Sequence, residues 1–178
     1  MNKCLPGDMS EEEKIHRMIR VNHAGEYGAK RIYAGQLAVL RKHPAGKIIQ
    51  EMADQEQEHL DGFSRMMAQR RVRPTVLMPL WHVAGFAMGA VTALLGEKAA
   101  MACTVAVESV IDEHYAKQEG ALAHDHELKS MVQAYRADEK AHHDTALDHG
   151  AESSPFYALL THIIGEQTKL AIWLSTRI

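Results

Sequence analysis

The sequence predicts an all-α helical bundle, and three observations carry that expectation. Apolar residues recur at alternating three- and four-residue steps along five long segments. The five prolines, Pro6, Pro44, Pro74, Pro79 and Pro155, are few and are read as standing at joints. No stretch alternates apolar and polar residues for long enough to suggest a strand. With 178 residues, 46% of them hydrophobic and 24% charged, the chain suits one domain with a sizeable core.

The first helix is expected to start at Ser10, with Glu13 completing a capping box, and to run to about Lys42. Its inward stripe is Ile15, Ile19, Asn22, Glu26, Ala29, Tyr33, Gln36 and Leu40. The second starts after Pro44 and runs to about Arg71, with Ile49, Met52, Glu56, His59, Phe63 and Met66 in phase; Arg73-Pro74 ends it. A later helix from about Glu97 to Gly120 aligns Met101, Val105, Glu108, Asp112 and Tyr115. The next, His124 to His149, aligns Leu128, Val132, Tyr135, Glu139, His142 and Ala146. The last, from about Pro155 to Thr176, is apolar on one side, and a proline suits its first turn. Residues 1–9 form an N-terminal tail and 10–178 a single domain.

Residues 74–96 differ from the rest. They contain no Asp, Glu, Lys or Arg, and as one straight helix they would span about 34 Å, the thickness of a bilayer. Pro79, Gly85 and Gly89 are expected to break or bend such a helix, and Trp81 and His82 place polar-tipped rings near its start. A helix lying on a membrane surface is therefore favoured over a span, with Trp81 and Trp173 as interface residues. The competing reading is a buried crossover between two halves of the bundle. Arg65, Arg70, Arg71 and Arg73 flank the segment, either to meet anionic lipid or as an ordinary solvated helix end.

Composition excludes several classes. A formal net charge of −3 offers no basic surface for nucleic acid. Cys4 and Cys103 are too few for a disulfide framework or a cysteine zinc site, and they fit a reducing compartment. The first residues show neither the apolar core of a secretory signal nor the arginine-rich pattern of a transit peptide, so the protein acts where it is made or a leader is missing from this sequence.

The chemistry lies in two Glu-x-x-His pairs, Glu56 with His59 and Glu139 with His142, each on one helix face. Among 15 Glu and 12 His, chance supplies roughly one such pair, and Glu13 with His16 in the capping turn is a decoy. The two real pairs each have a partner glutamate one helical hairpin earlier: Glu26 lies 30 residues before Glu56, and Glu108 lies 31 before Glu139. The set then recurs, Glu108 following Glu26 by 82 residues and Glu139 and His142 following Glu56 and His59 by 83. Six ionisable groups in apolar stripes are costly unless paired or metal-bound. One glutamate from each of two helices and Glu-x-x-His from each of two others is the ferritin-like di-iron arrangement, and oxygen and nitrogen donors suit iron or manganese. The expected fold is thus a ferritin-like four-helix bundle with additional membrane-facing helices.

Whole runs of the chain carry a more specific likeness. Residues Asn22-His23-Ala24-Gly25-Glu26-Tyr27-Gly28, Arg31 to Gln36, Arg71 to Trp81 and Ala102 to Glu108 closely resemble the 5-demethoxyubiquinone hydroxylases, and the likeness covers nearly everything from about residue 15. That resemblance implies two iron ions per chain held by Glu26, Glu56, His59, Glu108, Glu139 and His142, with Glu56 and Glu139 bridging. It implies dioxygen as co-substrate, hydroxylation of the ring of a membrane-borne demethoxyubiquinol, and a role in ubiquinone biosynthesis. The electron donor is left open, NADH being the one considered. The implied location is peripheral: the cytoplasmic face of the inner cell membrane in a bacterium, or the matrix face of the mitochondrial inner membrane if a leader has been removed. A lipid-binding accessory protein and a homo-oligomer are the partners to consider. Asn22 stands where the family often has Asp, and Ser109 follows Glu108 where a second Glu is common.

Tyr115 lies in phase with Glu108 and His114 on its flank, as a relay for protons or electrons or, alternatively, as a core tyrosine and a surface histidine. His143 and Asp144 either bond to the ligands or face solvent, and His23 is equally open. Two rivals use the same ligands: a di-iron quinol oxidase, and a ferritin-like iron-binding or storage protein, against which the uncharged segment argues. A rubrerythrin-like peroxidase lacks its four cysteines.

Overall fold

The structure, a computed structural model, describes residues 9–178, so Cys4 and all of the expected tail except Met9 lie outside the described residues. Six α-helices are joined by short turns: α1 (Glu11–Leu40), α2 (Gly46–Arg70), α3 (Met78–Leu94), α4 (Glu97–Ala121), α5 (His126–Asp148) and α6 (Tyr157–Ser175), with one 3-10 turn at Ala151–Ser153. No strand occurs among the described residues.

Local chemistry sets the helix ends. Ser10 Oγ accepts from the Glu13 N–H at 3.1 Å, and the Glu13 carboxylate accepts from the Ser10 N–H at 2.8 Å. That is the expected capping box. Arg71 closes α2 in the left-handed region, at φ 56°. Asp125 caps α5 by accepting from the Leu128 N–H at 3.1 Å. The Arg70 guanidinium binds both Asp125 and Glu127, so the end of α2 is tied to the start of α5. Arg70 is therefore occupied within the protein and does not simply hang as a solvated end.

The helices form two antiparallel hairpins, α1 with α2 and α4 with α5, packed as a four-helix bundle. Two apolar clusters fill it. One gathers Ile19, Phe63, Met66, Tyr115, Leu128 and Val132. The other gathers Leu37, Ile49, Met52, Met101 and Ala146. On every bundle helix the proposed ligands lie between these two sets in chain order, so apolar packing seals the polar centre above and below. Asp112 departs from its stripe: it is partly exposed and pairs with Arg136 Nε at 2.7 Å.

The uncharged segment corrects one expectation. Pro79, Gly85 and Gly89 do not break it, since α3 runs uninterrupted from Met78 to Leu94. Pro79 sits in the first turn, where its missing N–H has no helical partner to lose. The glycines serve contact instead. A Cβ on Gly89 would strike the Ile32 backbone, 2.7 Å from its carbonyl carbon, and one on Gly35 would strike Phe86 and Ala90. α3 thus lies against α1 at backbone distance, half-buried rather than enclosed. Its far side exposes Leu80, Val83, Val91 and Leu94, and α6 exposes Leu159, Ile163, Leu170 and Trp173. Among the described residues no helix is long and apolar enough to cross a membrane.

Alanine is the better helix former by about 1 kcal/mol, yet Gly89→Ala is expected to destabilise by about 1–3 kcal/mol because the added carbon overpacks the helix contact. At this chain length that lowers the thermal midpoint by at least about 3 °C. Gly120→Ala, where a Cβ meets nothing within 4 Å, is the control and should not lower it. Equal midpoints for both variants would show that α3 does not depend on this close approach.

The last helix starts later than Pro155. Pro155 and Phe156 form the corners of a turn closed by the Tyr157 N–H donating to the Ser154 carbonyl at 3.2 Å, with Phe156 left-handed at φ 60°. A proline followed by a left-handed residue is a tight-turn pattern, and it won over helix initiation here.

Candidate metal centre

Each of four helices delivers one glutamate to the same depth in the bundle: Glu26 from α1, Glu56 from α2, Glu108 from α4 and Glu139 from α5. His59 and His142 follow one turn after Glu56 and Glu139. Glu56 and Glu139 have 0% exposure, Glu26 and Glu108 1%, His59 2% and His142 3%. All six expected ligands are brought together.

The donor atoms fall into two groups. Glu26, Glu56, His59 and Glu139 each offer an atom within 4.8 Å of the others, and so do Glu56, Glu108, Glu139 and His142. Glu56 and Glu139 belong to both. Glu139 divides its oxygens, Oε1 lying 3.3 Å from His59 Nδ1 and Oε2 3.3 Å from His142 Nδ1. Glu26 Oε2 approaches His59 Nδ1 at 3.5 Å, and Glu56 Oε1 approaches His142 Nδ1 at 3.2 Å.

Within the protein this arrangement is electrostatically incomplete. Burial, and next the neighbouring carboxylates led by Glu139, push the Glu56 and Glu108 carboxyls well above the ordinary range. Burial alone would also raise Glu139, but the two histidines outweigh it and hold Glu139 down at about 2. Burial opposes charge on His59, yet Glu139 and Glu26 beside it raise it to about 10. Eight buried atoms of the six residues find no hydrogen-bond partner: Glu26 Oε2, both oxygens of Glu56 and of Glu139, Glu108 Oε2, and Nδ1 of His59 and His142. Such orphaned atoms are costly unless something else satisfies them. Four carboxylates and two imidazoles facing one another fit two divalent cations, one per group.

A second ring of side chains aims the first. His59 Nε2 lies 3.1 Å from Asp138 Oδ2, and His142 Nε2 lies 2.9 Å from Gln55 Oε1. Both acceptors fix the proton on Nε2 and leave Nδ1 free to ligate. Tyr33 donates to Glu108 Oε1 at 3.0 Å, and Tyr115 donates to Glu26 Oε1. Every one of these bonds crosses from one half of the bundle to the other. Gln55, Asp138 and Tyr33 were not recognised in this role from sequence. A signal was there: Tyr33 and Tyr115 repeat the 82-residue offset of Glu26 and Glu108, and Gln55 and Asp138 the 83-residue offset of the Glu-x-x-His pairs.

The other candidates separate. Tyr115 is fully buried against Glu26, and its phenol is pushed up, first by burial and then by that carboxylate. His114 is half-buried rather than a surface histidine; Asn22 Oδ1 lies 3.2 Å and Gln118 Nε2 2.8 Å from its Nε2. Burial brings it down to about 4, so it is neutral. His143 pairs with Asp144 at 3.1 Å at the surface and neither reaches a ligand. His23 Nδ1 is buried without a partner, and burial lowers its pKa. Asn22 exchanges hydrogen bonds with Gln118 and touches no ligand, while the Ser109 hydroxyl bonds back to the Val105 carbonyl.

A cavity of about 650 Å³ reaches the centre from one side. Glu26, His114 and Tyr115 line its inner end, and α3 and α6 flank its outer part through Leu80, Val91, Leu170 and Leu174. The Trp81 indole N–H donates to Ser175 Oγ at 2.9 Å, linking α3 to α6 beside it. The walls are almost wholly apolar, so the cavity suits a long hydrophobic molecule with a polar head at the metal end.

Known proteins agree on one family. The family model described as ubiquinone biosynthesis protein COQ7 matches residues 13–175. The chain is 55% identical over 168 residues to a mouse (Mus musculus) protein named NADPH-dependent 3-demethoxyubiquinone 3-hydroxylase, mitochondrial, covering 92% of this chain and 77% of that protein. It is 50% identical over 176 residues to the 3-demethoxyubiquinol 3-hydroxylase of Rhodospirillum rubrum, covering 98% of this chain and 83% of that one. The 5-demethoxyubiquinone hydroxylase of Saccharomyces cerevisiae is 40% identical over 194 residues, with 99% and 83% covered.

Proposed function

The chain belongs to the ubiquinone biosynthesis protein COQ7 family, and from that membership we propose that it hydroxylates the ring of a demethoxyubiquinol, with two iron ions held by Glu26, Glu56, His59, Glu108, Glu139 and His142. The observation that supports this best is the meeting of two features. A buried six-ligand centre, suited to two cations, opens through Glu26 and Tyr115 onto an apolar cavity that ends between two apolar helices.

The iron ions, when bound, supply the activation of dioxygen. The protein's own residues do the rest. Glu56 and Glu139, which belong to both donor groups, would each offer a carboxylate to both ions. Tyr115 keeps the Glu26 carboxylate turned inward, at the boundary between ligands and cavity. His114 presents a neutral ring to the cavity wall, a hydrogen-bonding group that carries no charge into an apolar space. The cavity walls align the quinol head and keep water from the reaction. An isoprenoid tail is too apolar for water, and the gap between α3 and α6 gives it a route outwards. The apolar faces of those helices, Val83, Leu94, Leu159 and Trp173 among them, would rest on the bilayer surface as a peripheral contact. One oxygen atom goes to the ring and the other to water, so each turnover consumes two electrons from a reductant. The mouse relative's name specifies NADPH, where the sequence had left the donor open with NADH as the one considered, and a nicotinamide dinucleotide is the donor class we adopt.

The test is to give the iron-loaded protein dioxygen, NADPH and demethoxyubiquinol in liposomes, then weigh the product. A quinol heavier by one oxygen atom is expected, with the protein floating alongside the liposomes. Quinol oxidation with no oxygen gained would replace the hydroxylase with the quinol oxidase, and protein left in the aqueous layer would remove the membrane contact.

A further inference from the structure

The centre is nearly two-fold symmetric, and one broken pair carries charge. Glu26 and Glu108, Glu56 and Glu139, His59 and His142, and Tyr33 and Tyr115 are counterparts at offsets of 82 or 83 residues. Each tyrosine bonds the other half's glutamate. The residues behind the histidines follow the same crossed pattern but differ in kind: His59 is backed by the Asp138 carboxylate and His142 by the Gln55 amide. The stacked partner of His59, Tyr135 at 4.0 Å between ring centres, also lacks an aromatic counterpart, since Met52 stands at its offset, but neither of those carries charge. The asymmetry has a direction, because the cavity touches Glu26 and Tyr115 and neither Glu108 nor Tyr33.

A hydrogen bond to a carboxylate pulls an N–H proton harder than one to an amide oxygen, and so makes the opposite ring nitrogen a better electron donor to a metal. We propose that the two cation positions are unequal: the one between Glu26 and His59, beside the cavity and backed by Asp138, binds a divalent ion more tightly than the one between Glu108 and His142, backed by Gln55. This deepens the dinuclear reading given above and rests on it. Asp138 is 39% exposed, so solvent screens part of its charge, and the expected preference is about tenfold, the low end for an orienting partner.

Metal-free protein titrated with cobalt(II) at one fixed pH, followed by calorimetry and by visible absorption, should fill in two resolved steps. Asp138→Asn should weaken the tighter step about tenfold and leave the weaker step within about twofold. Gln55→Asp should tighten the weaker step and bring the two together, a gain that a poorly folded variant would not produce. Glu26→Gln should abolish the tighter step, and Glu108→Gln the weaker one. Two equal steps in the parent protein, equal weakening of both by Asp138→Asn, or a tighter step that survives Glu26→Gln would each overturn the inequality. Absence of any binding would overturn it together with the dinuclear reading. Two unequal steps in a protein that adds no oxygen to its quinol would sink the hydroxylase assignment and leave the inequality standing.

Discussion

Glu139→Ala is expected to purify without either metal ion and to lose hydroxylation by at least about 10³-fold, some 4 kcal/mol of transition-state stabilisation. The size follows from where its two oxygens lie. One faces His59 and the other His142, so a single truncation takes a ligand from both positions at once. Glu26→Ala removes a ligand from one group only and should keep about one ion per chain. Metal analysis of the two variants against the parent reads this directly, and two ions retained by Glu139→Ala would defeat the bridging role. Stability gives a check of opposite sign. Glu56 is buried among like charges, so metal-free Glu56→Gln should melt no lower than the metal-free parent while binding its metals poorly. A residue present for packing alone would show the reverse.

The bundle and its ligands were legible because one physical demand writes both into the sequence. A helix that buries one face must repeat apolar residues at its own period, so a glutamate in phase with Ile19 and Tyr33, or with Met52 and Phe63, reads as buried whatever surrounds it. The duplication then fixed which Glu-x-x-His pairs were real. The bonds behind the ligands were less visible because they run between helices. Nothing near Gln55 in sequence announces that it will meet His142 across the bundle. Gly85 and Gly89 were misread for a related reason. Helix propensity counts a glycine as a weakness, whereas a backbone-to-backbone contact needs one, and only the neighbour, here Ile32 of α1, decides between them. The same holds for Arg70, whose acidic partners lie on the far side of a turn in another helix.

Removing the metals should reverse the way stability depends on pH. In the metal-free protein Glu56 and Glu108 have raised carboxyl pKa values, so the folded state holds protons that the unfolded state has released. Their contribution is complete below about pH 4.5, the unfolded value, and is lost as pH rises towards the raised folded values. His59 adds to the same slope higher up: its folded value of about 10 means its contribution fades between the unfolded value near 6.5 and about 10. Glu139, held at about 2, contributes above the unfolded carboxyl value and is flat across this range. Metal-free protein should therefore lose stability as pH rises from about 5 to 8, by up to about 1.4 kcal/mol per pH unit for each carboxyl still protonated in the fold. Metal-bound protein should not, because cations require these carboxylates ionised and compensate their charge. The gap in thermal midpoint between the two forms should widen with pH, and metal binding near neutrality should release protons, countable by calorimetry in buffers of different ionisation enthalpy. A gap that narrowed on raising the pH, or binding without proton release, would mean that Glu56, Glu108 and His59 are not the groups the metals displace protons from.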